Sequence, residues 1–153
     1  MGYYVTLTDS DFVVPADKLD EAYEAVCKLN FTVSNDAKRG GRFPKSEDYV
    51  DNNPNPDAWF SWMDWNYHET CKDLGEVLHN LGFDVDQDDD GLALTYYDNK
   101  TGQEDLFIET LARFVPDGSY MDWTGEDGER ERWEVKDGKL VRLHAEITWK
   151  EGV

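Results

Sequence analysis

The sequence predicts an α+β fold, a single antiparallel or mixed sheet with about three helices packed on one face. Runs of β-forming residues are cut by glycine-containing turns, and other segments carry apolar residues at helical spacing. Their order is β, α, loop, α, β, β, α, β, β, β. The 153 residues include six Trp, eight Tyr and seven Phe, enough apolar surface to offset backbone entropy in one cooperative domain. No internal repeat or second-domain boundary interrupts residues 1–153.

Tyr3 to Val14 reads as the first strand, with Tyr4, Thr6 and Thr8 on one face, Tyr3, Val5 and Leu7 on the other, and Pro15 as its stop. From Ala16, Leu19, Ala22, Tyr23, Val26, Cys27 and Leu29 fall at helical spacing, with Asp17, Asp20, Glu21 and Glu24 towards the N-terminal half, where the helix dipole favours anions. Residues 35–56 contain Gly40-Gly41, Pro44, Pro54 and Pro56 and read as a long connecting loop. In Ala58 to Trp65 the aromatic residues are too dense for a period to show, so a short strand and a helical turn both remain open. A second helix is expected over Glu69 to Leu81, ended by Gly82. Phe83 to Gln87 and Leu92 to Tyr97 then form a hairpin across Asp88-Asp89-Asp90-Gly91. Asn99 to Gly102 is read as a turn into a third helix, Gln103 to Phe114, and Tyr120 to Thr124, Arg132 to Lys136 and Leu140 to Trp149 as three closing strands.

Charge says most about function. The chain has 34 acidic and 15 basic side chains, a formal net charge of −19. Between Ser46 and Asp98, fourteen carboxylates face a single base, Lys72. Such a field repels nucleic acid and anionic membranes and attracts basic protein surfaces. It also repels itself, so the melting temperature should rise by several degrees between roughly 20 mM and 500 mM salt, as thermal unfolding would show. A melt that does not respond to salt would mean that the acids are neutralised internally.

Asp84, Asp86 and Asp88 alternate along one strand and so lie in a row at roughly 6.6 Å intervals. Phosphates of a DNA strand rise about 3.4 Å each along the axis and sit roughly twice that apart along the helical path. A β-row of carboxylates therefore suits the phosphate positions of a DNA-binding groove. Asp84, Asp86, Asp88, Asp89 and Asp90 are the principal candidates for contact with a partner, and Glu126, Asp127 and Glu129 form a second cluster. Around that cluster, Arg130 and Arg132 interleave with the acids, and local ion pairs are expected. Of the tryptophans at 59, 62 and 65, most are expected in the core, but three indoles within seven residues do not share one face of a short element. Trp62 or Trp65 is the candidate anchor.

Other chemistry has weaker support. Asp86, Asp88, Asp90 and Gly91 match the opening of a calcium loop, but Tyr97 stands where the bidentate Glu belongs, so a divalent-cation or small-ligand site there is the alternative reading. No P-loop, dinucleotide fingerprint, nucleophile elbow or HExxH motif occurs, and no catalytic residue or cofactor is assigned. Paired carboxylates near Glu126 would support hydrolysis only if one were desolvated. Cys27 and Cys71 read as inert buried thiols of a reducing cytosol, and His68, His79 and His144 as structural. Lys38, Arg39, Arg42 and Lys45 form the only basic cluster and are expected to neutralise neighbouring acidic surface. The N-terminus has neither the basic start nor the apolar core of a secretory signal, and no apolar run spans a membrane, so a cytoplasmic location is expected.

The stretch from Gly118 to Trp149 holds GSYMDW, the turn GEDG, a strand containing Trp133 and the hairpin KDG. This pattern resembles the ending of small uncharacterised proteins of bacteriophage and actinobacterial genomes. The opening MGYY and the segment WMDWNYHETCKDLGEVLHNLGF are similar to them too, so the likeness covers about two-thirds of the chain. It implies a compact α+β fold and points to a phage origin, and it carries over no activity. Together, charge and resemblance lead to an expected acidic, non-enzymatic phage-type inhibitor. It would mimic nucleic acid and block a basic host DNA-binding or defence protein, such as a restriction or CRISPR effector, in the host cytoplasm. A phage accessory or structural protein is the remaining alternative.

Overall fold

Alternation in the first strand breaks at Asp9, and that break divides the sheet. A computed structural model describes residues 2–38 and 53–152. In it β1 (Tyr4–Ser10) pairs with a later strand, but the register slips between Leu7 and Asp9, and the Ser10 hydroxyl accepts a hydrogen bond from the Phe12 amide at 3.1 Å. The chain bends there and resumes as β2 (Val13–Pro15) in a second sheet. The return path does the same. β3 (Asp84–Asp88) turns into β4 (Gly91–Tyr96) in the second sheet, and past Tyr97 the chain enters the first sheet as β5 (Asp98–Lys100). Two backbone bonds stitch this seam, Leu7 N to Tyr97 O at 2.8 Å and Leu94 N to Phe12 O at 3.1 Å.

Among the described residues, the expected single sheet is thus corrected to two antiparallel sheets. Five strands run in the order β5-β1-β6-β7-β8, with β6 Tyr120–Gly125, β7 Arg130–Lys136 and β8 Lys139–His144, and three run β2-β4-β3. Strands that switch sheets at bulges or bends form such corners. The last strand is shorter than expected. Ala145 N still donates to Arg130 O at 3.2 Å, but β7 begins at Arg130, so the next residues have no neighbouring strand and Trp149 is 88 % exposed.

Among the described residues, four helices replace the expected three. α1 (Leu19–Thr32) follows a single 3-10 turn and buries Ala22, Val26 and Asn30. The segment read as one helix from Glu69 to Leu81 is two, α2 (Tyr67–Thr70) and α3 (Leu74–Leu81). Asp73 separates them by capping α3, its carboxylate accepting from Glu76 N at 2.8 Å, while Glu76 accepts from Lys72 N at 3.2 Å. Gly82, at φ +119°, ends α3 as expected. α4 (Glu104–Leu111) continues into a 3-10 turn through Phe114. No helix among the described residues is long and apolar enough to cross a membrane.

One connected core joins both sheets to the helices. Phe60, Tyr67 and Phe107 meet between helices, with the Phe60 and Phe107 rings edge to face at 5.3 Å, and Phe83, Tyr97, Trp123 and Trp133 stack under the five-stranded sheet. A buried polar link ties α1 to the irregular segment that follows the long loop. The Asn30 amide donates to Trp65 O at 2.9 Å and faces His68 Nδ1 at 2.9 Å, and Lys38 Nζ donates to Asn30 O and Oδ1 at 2.9 and 2.8 Å. Lys38 is therefore buried rather than on the surface, with its ammonium 5.1 Å from the Phe60 ring centroid. Arg39, Arg42 and Lys45, and most of the expected loop over 35–56, lie outside the described residues.

Candidate functional site

The acidic hairpin forms, with a register shift between Asp84 and Val85. Asp84, Asp86, Asp88, Asp89 and Asp90 are all exposed, while Val85 between them is half-buried against the core. Across the outer face, Asp86 stands beside Ala93 and then Val13, and Asp88 beside Gly91 and then Pro15. The small or apolar neighbours carry no charge. None of the five carboxylates forms an ion pair with a described base. Asp88 also has a structural task, because its Oδ1 accepts from Asp90 N at 2.8 Å and Gly91 N at 3.3 Å and so closes the turn.

Two further acids, distant in sequence, join the tip. Asp11, Asp90 and Asp117 line one shallow groove together with Val13, Pro15 and Pro116. Asp11 is held in place by the Tyr120 amide, which donates to its Oδ1 at 2.7 Å. At the other end of β3, Asp84 pairs in register with the exposed Tyr96, whose hydroxyl faces Asp98 at 3.4 Å. The Tyr96 phenol is pushed above its ordinary pKa by partial desolvation and by the negative charges of Asp98 and Asp84.

The second predicted cluster is a separate place. Glu126 N donates to Tyr4 O, which puts the β6–β7 turn at the start of β1, whereas the β3–β4 tip lies against Pro15, at the end of β2. Glu126, Asp127 and Glu129 thus stand as a second cluster apart from the hairpin. Their strands are also the cation-rich ones. Arg132 grips Asp122 through two bonds of 2.6 and 2.9 Å, Arg142 reaches Asp105 at 2.9 Å and Glu131 at 3.8 Å, and Lys136 reaches Glu134 at 3.6 Å. Asp127 accepts a hydrogen bond from the Tyr3 hydroxyl, and that bond holds its carboxyl below the usual range.

The tryptophan candidates divide as well. Trp62 is 37 % exposed, and its indole N–H donates to Leu81 O at 3.0 Å, beside Gly82 and so at the Asp84 end of the row. Trp65 is half-buried next to α1, bonded through its carbonyl to Asn30, and is not brought to the hairpin.

Asp86, Asp88 and Asp90 do not converge. Asp86 and Asp88 lie on an extended strand rather than a wrapping loop, and among the described residues no three His, Cys, Asp or Glu side chains come close enough to hold a metal ion. Cys71 is buried and Cys27 half-buried, and burial pushes both thiols above their ordinary pKa, away from the reactive thiolate. No protein-family model, curated protein or solved structure matches the chain.

Proposed function

We propose that this protein is a non-enzymatic acidic decoy whose β3–β4 hairpin occupies the nucleic-acid groove of a basic host protein. The carrying observation is the outer face of β3, where Asp84, Asp86 and Asp88 run on into Asp89 and Asp90 without a described counter-ion. Asp11 and Asp117 broaden this end, and Trp62 offers an apolar contact at its far end. The net charge of −19 would steer a cationic partner and make its association fast and salt-sensitive. A DNA-binding enzyme or a CRISPR effector presents such a groove, and the phage-like C-terminal pattern suits that class.

A solubility reading has an observation of its own, since β3 is an edge strand and charge on an edge discourages strand addition. One variant separates the two. In Asp86→Asn, Asp88→Asn, Asp89→Asn, Asp90→Asn the amide at 88 can still accept the turn bonds, so the fold should survive with four charges removed. The decoy reading expects the wild type to capture a nucleic-acid-binding protein from host lysate at about 50 mM salt, with release by duplex DNA or about 0.5 M salt and at least tenfold weaker capture by the variant. Equal capture by the variant, or capture that DNA cannot displace, would overturn it. A variant that only aggregates more readily would support edge protection.

A further inference from the structure

Outside the acidic hairpin, the helix-facing side of the five-stranded sheet is left partly uncovered. There Trp123 and Trp133 meet at 4.9 Å between ring centroids and belong to the lining of a cavity of about 200 Å³. Tyr3, Thr101 and Glu104 wall it, and Glu129, Glu131 and Arg142 stand with them. At roughly 30 Å³ per water, this space holds about six or seven waters, which suits one amino-acid side chain and is too small for a nucleotide.

The charge of the lining decides which side chain. Three carboxylates face one guanidinium, a formal balance of −2 within a strongly anionic protein. Glu104 has both oxygens engaged, by the Thr101 hydroxyl and the Gly102 amide at 2.6 Å each. Glu131 accepts from the Trp133 indole and lies 3.8 Å from Arg142. Glu129, by contrast, is exposed and its carboxylate has neither a hydrogen bond nor an ion pair among the described residues. The chain itself shows what this lining accepts, since the Arg142 guanidinium lies 5.1 Å from the Trp133 ring centroid while pairing with Asp105.

We infer that this cavity binds a guanidinium or alkylammonium group, as in an arginine or lysine residue or the free amino acid. The cation sits between the indoles and Glu129. The site lies away from the β3–β4 hairpin, so it stands or falls separately from the decoy reading.

The test is an NMR titration of the full chain that follows the two indole N–H resonances. The probes are Nα-acetyl-arginine methylamide, free L-arginine and the uncharged Nα-acetyl-norleucine methylamide. Saturable movement of the Trp123 resonance at millimolar blocked arginine is expected, roughly two- to fivefold weaker in Glu129→Gln and unchanged in Glu126→Gln, which lies outside the cavity. Binding of the blocked form alone would assign the group to a protein side chain, and binding of free arginine as well would include the small molecule. The inference is overturned if nothing saturates by about 50 mM, or if the norleucine probe moves the same resonances equally well.

Discussion

Alanine at Gly91 is expected to remove about 3 kcal/mol or more of folding stability, enough to lower the melting temperature by roughly 6–12 °C. Gly91 has φ +152°, and a Cβ placed there would come 2.2 Å from Val14 O and 3.1 Å from Pro15 Cα. Both neighbours are backbone of β2, paired with β4 through Val14 with Leu92 and Pro15 with Gly91, and so cannot swing aside as a flexible side chain would. Backbone strain and overpacking each cost about 1–3 kcal/mol, and here they act together. Gly128 is the comparison. It also has positive φ, +86°, but a Cβ there meets nothing within 4 Å, so alanine should cost only about 1–2 kcal/mol. Urea denaturation of the two variants measures the difference. Equal losses would mean that β2 is not seated against the hairpin turn, and the groove shared by Asp11, Asp90 and Asp117 would go with it.

That seat was not legible in the sequence. The run from Tyr3 to Val14 reads as one strand because β-formers dominate it, and the bulge at Asp9 depends on its pairing with β6, which no local pattern encodes. β5 was missed for a similar reason. Asp98, Asn99 and Lys100 are poor β-formers, and they become a strand because Thr6, Val5 and Tyr4 offer a free edge. The division of α2 from α3 did leave a trace, in Asp73 and Glu76 at capping spacing, but apolar periodicity ran through it. Where turn chemistry and alternation agreed, as in the β3–β4 and β6–β7 hairpins and at Gly82, local signals sufficed.

The candidate surface shows the same division. Asp84 to Asp90 are contiguous in sequence, so their shared exposure follows from strand alternation and a turn. Asp11 and Asp117 reach the same groove only through the β1–β6 pairing, and the distance of Glu126, Asp127 and Glu129 from it is set by strand direction. The lining of the tryptophan cavity comes from β1, the exit of β5, α4, β6, β7 and β8, a combination that no spacing rule brings together. Its one local sign was the interleaving of Arg and Glu around Trp133, which does lead to ion pairs.

Tyr67 should give the protein a steep alkaline limit, and its phenylalanine variant should soften it. Tyr67 is fully buried, its hydroxyl donates to Val26 O at 2.6 Å, and burial pushes its pKa far above the ordinary 10.0. The folded state therefore keeps this proton at pH values where the unfolded chain has released it. Its stabilising contribution is complete below about pH 10 and is lost as pH rises, at about 1.4 kcal/mol per pH unit. Two units cost about 2.7 kcal/mol, a substantial part of the 5–15 kcal/mol typical of a domain. Tyr23, pushed up to about 12 by burial and then by Cys27, acts with the same sign between those two values. Tyr67→Phe should be about 1 kcal/mol less stable at pH 7, where only the hydrogen bond is lost. Above pH 10 its stability should fall less steeply by about one proton, so the two curves converge and cross near pH 11. Urea denaturation at pH 7, 10, 11 and 12 gives both slopes. Parallel curves would show that a group other than Tyr67 sets the alkaline limit.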